Sequence, residues 1–174
     1  MKKTKNTGTA DSEVNQERPL LRVPTLEYGI LDDLLGFALR RAQNTLFMDF
    51  YRATAAYDIS PQRFAALVLI AENKSMRQAQ LAEALGLHRS GALRLVAWLS
   101  ERGWVERHDD DMDARAWGVT LTPAGTKALS EITAVVQEHD LGIQRIVGDR
   151  SSQLKTDLEL IAKNGQTAID TQIE

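Results

Sequence analysis

The chain has 174 residues and no cysteine, with 21 Lys and Arg against 24 Asp and Glu and a formal net charge of −3. Those facts exclude disulfides, thiolate-bound zinc and a thiol redox switch, and no apolar run reaches the ~18–20 residues that span a bilayer. At 43% hydrophobic and 26% charged the chain fits an ordinary globular protein of one domain, or one domain with tails, and its lack of cysteine is compatible with a reducing cytoplasm. Its mild acidity (pI ≈ 5.7) argues against indiscriminate coating of nucleic acid but leaves room for a binder whose positive charge is local.

Residues 1–24 are polar, and their lysines are followed by no apolar stretch, so they read as a disordered or loosely packed tail and not as a signal peptide. A helix is expected from Asp32 to about Tyr57. Leu31, Leu34, Leu35, Ala38, Leu39, Ala42 and Leu46 form its stripe, and Phe37, Arg40, Arg41, Phe47, Phe50 and Tyr51 occupy its other faces. Ser60-Pro61 caps and opens a second helix, carrying Phe64, Leu67, Val68 and Ala71 to about Glu72. A third helix runs from Arg77 to Leu85, with Leu81, Ala82 and Leu85 on one face, and Gly86 breaks it. A fourth covers roughly Arg89 to Arg102, with Ala92, Leu95, Val96 and Leu99 inward and Gly103 as its stop. Two helices about a short turn containing glycine form the helix-turn-helix pattern, whose second helix enters the DNA major groove.

Trp104 to His108 and Ala116 to Leu121 then alternate as two strands around an acidic tip, Asp109 to Asp113. Thr122-Pro123 restarts a helix to about Val147, with Leu129, Ile132, Val136, Ile143 and Val147 on one side. Gly148-Asp149 ends it, and Ser151 starts a last helix with Leu154, Leu158 and Ile161, expected to weaken at Gly165 and leave a short helix or frayed tail to Glu174. The fold class is mainly α with a small β-hairpin wing (α+β), a winged helix-turn-helix between N- and C-terminal helices. Trp98 and Trp117 are expected to pack in the core or against the wing.

Four segments occur in order: Ser60-Pro61-Gln62, the run LAEALGLHRSGALRLVAWLSERGWVER, Asp113-Ala114-Arg115-Ala116, and Leu121-Thr122-Pro123-Ala124-Gly125. Together they resemble the MarR (multiple antibiotic resistance regulator) family of bacterial transcription factors. The resemblance covers about residues 60–125. It implies a MarR-like domain over residues 25–174, with a winged-helix part at about 60–122 and dimerisation helices at about 31–57 and 123–170. The implied partners are a second copy of the chain, a pseudo-palindromic DNA duplex and a small effector that relieves repression; activators are less common.

Ser90, Gly91, Leu93 and Arg94 lie off the inward stripe of the fourth helix and so face outward. Arg94 suits guanine or phosphate in bidentate fashion, and Ser90 bonds either. His88 and Arg89, with Arg77 and Gln78 at the start of the preceding helix, complete the DNA-contacting set expected there. Between Lys74 and Arg115 seven basic residues balance seven acidic ones, yet His88 to Arg94 holds two arginines and no acid. The resemblance implies that Arg115 reaches from the wing into the minor groove, where negative potential is focused, and that Asp113 orients it. The wing's other frequent arginine is here Ala114. Against this stands a plainer reading, a solvated helix face and a surface Asp113–Arg115 ion pair worth under about 1 kcal/mol.

The resemblance also implies a crevice between the dimerisation helices and the DNA-binding part for small, often aromatic, anionic molecules. Phe37, Arg40, Arg41, Phe47, Phe50, Tyr51, Tyr57 and Arg63 offer aromatic walls and a carboxylate clamp, although aromatics at helical spacing equally make a core. Aromatic acids or their thioesters are the expected class. His88, His108 and His139 are too scattered for a metal motif, so neither metal nor cofactor is expected. The chain has no Gly-rich phosphate loop or nucleophile elbow, which argues against an enzyme. The alternative is a winged-helix module that binds protein and no DNA.

Overall fold

The computed structural model describes residues 22–110 and 113–170, with the side chains of 109–116 and 166–170 left out. Its contacts divide the chain into two units, residues 1–63 and 64–174. The expected tail at 1–24 therefore lies almost wholly outside the described residues.

In the first unit the expected single helix from Asp32 to Tyr57 is three pieces. A 3-10 turn, Gly29–Asp32, precedes α1 (Leu35–Ala53), and a second 3-10 turn spans Ala55–Tyr57. The first break falls at Leu34, whose backbone is extended (φ −88, ψ 115). The second is set by Thr54. Its buried hydroxyl donates toward the carbonyls of Phe50 (2.8 Å) and Ile59 (3.3 Å), which folds the chain back after α1. Asp58 completes the turn in the left-handed region (φ 49). The leucine stripe is not buried: Leu31, Leu34 and Leu35 are 39%, 46% and 66% exposed. Asn44 and Phe50 are the buried residues of α1.

α2 (Pro61–Glu72) opens where Ser60 Oγ accepts the Arg63 N–H at 3.2 Å, as the Ser-Pro pair predicts. It runs into the second unit and buries Ala66, Leu67 and Ile70. Next come β1 (Met76–Arg77), α3 (Gln78–Ala84), α4 (Arg89–Glu101), β2 (Val105–Asp110) and β3 (Asp113–Leu121). The strands form an antiparallel sheet in the order β1-β3-β2, so the expected hairpin gains a third strand. Two residues are too few to show alternation, which is why β1 left no pattern. The register pairs Val105 with Leu121, His108 with Gly118 and Met76 with Val119. Val105, Val119 and Met76 are buried with Leu67, Leu81, Ala92, Leu95, Val96 and Leu99. Each fully buried aliphatic side chain contributes about 1.5–3 kcal/mol.

α5 (Pro123–Val147) starts as expected, with Thr122 Oγ1 accepting the Gly125 N–H at 2.9 Å and proline in the first turn. Gly148 (φ 66) ends it, and α6 (Ser151–Asp170) follows a 3-10 turn at Gly148–Arg150. α6 continues past Gly165 to Asp170, in keeping with the short helix expected as one outcome there. A lone glycine costs a helix only ~1 kcal/mol, too little to end one by itself. From Ser152 to Asn164 every residue of α6 is exposed.

Candidate nucleic-acid interface

Arg89, Ser90, Leu93 and Arg94 owe their outward aim to the other side of α4. Ala92, Leu95, Val96 and Leu99 are buried. At 100° per residue, Ser90 and Arg94 fall on the side opposite that stripe. All four outward residues are exposed, and Leu93 is 41% so. Gly91 is half-buried on the flank, where a Cβ would rest against the Leu87 side chain. The first carboxylate on α4 is Glu101, at its far end, so its first two turns present positive charge alone.

The turn between α3 and α4 is fixed by backbone and by one buried amide. Gly86 takes φ 62, and the Leu87 N–H donates to the Ala82 carbonyl at 2.8 Å. Gln78 Nε2 donates to the Arg89 carbonyl at 2.9 Å. Gln78 is therefore a correction to the expected contact set: it is 7% exposed and aims its amide into the helix pair. It holds the start of α4 in place, an effect no periodicity reveals. Arg77 is exposed, and its backbone N–H donates to Gln80 Oε1 at 3.0 Å. His88 is exposed at the α4 N-cap position, but its ring makes no capping bond, so capping is not its role.

Asp113 and Arg115 belong to β3 through their backbone, and their side chains lie outside the described residues. Behind the tip, Arg107 stacks over Trp117 at 4.4 Å. Arg102 lies over Trp98 at 4.0 Å, and Trp98 meets Trp104 edge-on at 5.7 Å. Both expected tryptophans thus pack beside arginines.

The candidate effector residues all fall within residues 1–63. Arg40 and Phe47 are exposed on α1, and Phe37, Arg41, Tyr51, Tyr57 and Arg63 are half-buried. Phe50 is 7% exposed and meets the Tyr51 ring edge-on at 6.5 Å, so it is a packing residue and not a free wall. Asn44, buried on the same helix, was not singled out by the sequence because one amide carries no periodic signal. Among the described residues no three His, Asp or Glu side chains cluster as a metal site would need. No helix among them is long and apolar enough to cross a membrane.

A family model described as MarR family matches residues 57–116. A putative transcriptional regulatory protein for the hcr operon of Thauera aromatica is 34% identical over 116 residues, covering 66% of this chain and 70% of that one. The chain belongs to the MarR family. The transcriptional repressor MprA of Escherichia coli K12 is 34% identical over 92 residues, 52% of each chain. The transcriptional repressor CouR, solved bound to a 23-mer DNA duplex, matches with a TM-score of 0.76 at 31% identity, over 79% of this chain and 98% of that one. CouR bound to p-coumaroyl-CoA matches with a TM-score of 0.72 at 26% identity, over 79% and 97% of the two chains. These MarR-family relatives are transcriptional regulators and not enzymes, and the winged-helix fold expected from the sequence is the one they share.

Proposed function

We propose that the chain is a homodimeric, sequence-specific DNA-binding repressor that releases a pseudo-palindromic operator when a small aromatic or anionic effector binds. The observation that carries this is the outer face of α4, where Arg89, Ser90 and Arg94 stand exposed with no carboxylate among them. Such a face suits the major groove, with Arg94 and Ser90 at base edges and Arg89 at phosphate. His88, Gly91, Leu93 and Arg77 flank it, and Arg115 with Asp113 supplies the minor-groove contact from the wing. CouR on its duplex supports the same use of the fold.

Two copies are required because half-sites lie one helical turn, about 34 Å, apart. The exposed apolar residues of α1 and α6 supply the material for that pairing. For the effector, Arg40, Phe47 and Tyr51 recur along α1 at helical spacing and offer a cation beside two rings. The capture of p-coumaroyl-CoA by CouR favours an aromatic acyl thioester or its free acid. Its site of action is the cytoplasm, where the duplex is.

A nuclease footprint on the DNA upstream of the chain's own gene tests the proposal. Two protected patches about ten base pairs apart are expected, weakened by p-coumaroyl-CoA or a related aromatic thioester. Absence of protection on any duplex would instead favour the protein-binding module, and protection indifferent to every aromatic acid and thioester would remove the effector.

A further inference from the structure

Ser75 Oγ and His108 Nε2 are 2.8 Å apart although 33 residues separate them in sequence. The bond passes over Gly118, which faces His108 of β2 on one side and Arg77 of β1 on the other. A Cβ built on Gly118 would collide with Ser75 Oγ and stand 2.6 Å from His108 Nε2, so only glycine leaves the passage open. Ser75 reaches it from a left-handed backbone (φ 53), which residues with a side chain seldom adopt. Gly118 is buried beneath the pair. A β-hairpin requires none of these three features, yet here they coincide at one point.

We propose that Ser75 and His108 brace the wing against the helix-turn-helix and are positioning residues for duplex binding. The proposal rests on the reading that the wing meets DNA through Arg115. Ser75 directly precedes β1 and α3, whereas His108 belongs to the hairpin, and Gly118 lies three residues from Arg115 along β3. The brace therefore fixes the base of the wing to the element that sets the pose of α4. A neutral imidazole makes this bond as donor or acceptor, the serine hydroxyl turning to match. Without it the hairpin presents Arg115 correctly for a smaller fraction of time, and apparent affinity falls by that fraction.

The test is a fluorescence anisotropy titration of a duplex carrying the sequence upstream of the chain's own gene. His108→Ala and Gly118→Ala are measured alone and each combined with Arg115→Ala. Gly118→Ala keeps both bonding partners and closes the passage between them. Each single change is expected to weaken binding about three- to tenfold, the worth of one hydrogen bond. Neither should weaken it further once Arg115 is gone, and His108→Gln, which retains a polar atom at similar reach, should recover most of the loss. Hydrogen exchange of residues 105–108 and 117–121 should quicken in both variants while α4 is unchanged. Unaltered binding by His108→Ala, or an equal loss with Arg115 already removed, would overturn the brace and leave the DNA reading standing. Failure of the unaltered chain to bind any duplex would overturn the DNA reading, and the brace's role in it as well.

Discussion

At Gly125 the backbone of α5 lies so close to the Trp104 carbonyl that a Cβ would run into it. That carbonyl accepts the Thr122 N–H at 3.0 Å, and Thr122 Oγ1 in turn donates to the Gly103 carbonyl at 2.6 Å while capping α5. The end of α4 and the start of α5 are thereby joined through one threonine and one glycine. Gly125→Ala is expected to destabilise the fold by roughly 1–3 kcal/mol, because backbone cannot move aside as a side chain does. Thermal unfolding followed by circular dichroism checks this, and an unchanged midpoint would contradict it. The letters Leu-Thr-Pro-Ala-Gly announced a capped helix start, but the close approach that demands the glycine is a distance between segments and left no trace in them. Gln78 teaches the same lesson, since a polar residue beside a predicted DNA-reading helix looked like a contact and is instead an internal tie.

Among the elements, α4 was the most legible. Its four inward residues recur at helical spacing and a glycine follows it, so its outer face followed from periodicity and its end from Gly103. β1 was invisible because it is two residues long and exists only by pairing with β3. The leucine stripe of residues 31–46 is left uncovered by its own chain, with Leu31, Leu34 and Leu35 exposed, because periodicity marks an apolar face without telling what covers it. One element-scale prediction concerns Gly91, whose added Cβ would touch Leu87 Cδ2 at 3.4 Å, an ordinary contact. Gly91→Ala should therefore stabilise α4 by up to about 1 kcal/mol through helix propensity. A higher urea midpoint would agree with this, and a lower one would show that the flank is tighter than its geometry.

For the whole molecule the telling feature is apolar surface left exposed on α5 and α6. Leu154, Leu158 and Ile161 are each 41–43% exposed and recur four and three residues apart, a single face of α6. Ile146 on α5 is 84% exposed. A second copy laid over such a face buries it, and this is why dimerisation belongs to the proposal. If the proposed pairing covers this face, Leu158→Lys weakens it at least about tenfold by placing an unpaired ammonium there. Sedimentation is expected to show dimer for the unaltered chain and monomer for the variant, and equal sedimentation of the two would contradict pairing through this face of α6. Net charge says little at this scale, because the chain is acidic overall while the outer face of α4 is positive. The proposed function requires two such faces paired on one duplex. It is tested most directly by titrating the upstream duplex with the unaltered chain and with Arg94→Ala. Two chains per site are expected, with a loss of about 5- to 100-fold on removing Arg94, as for a base-reading arginine. Equal affinities for the two proteins would contradict it.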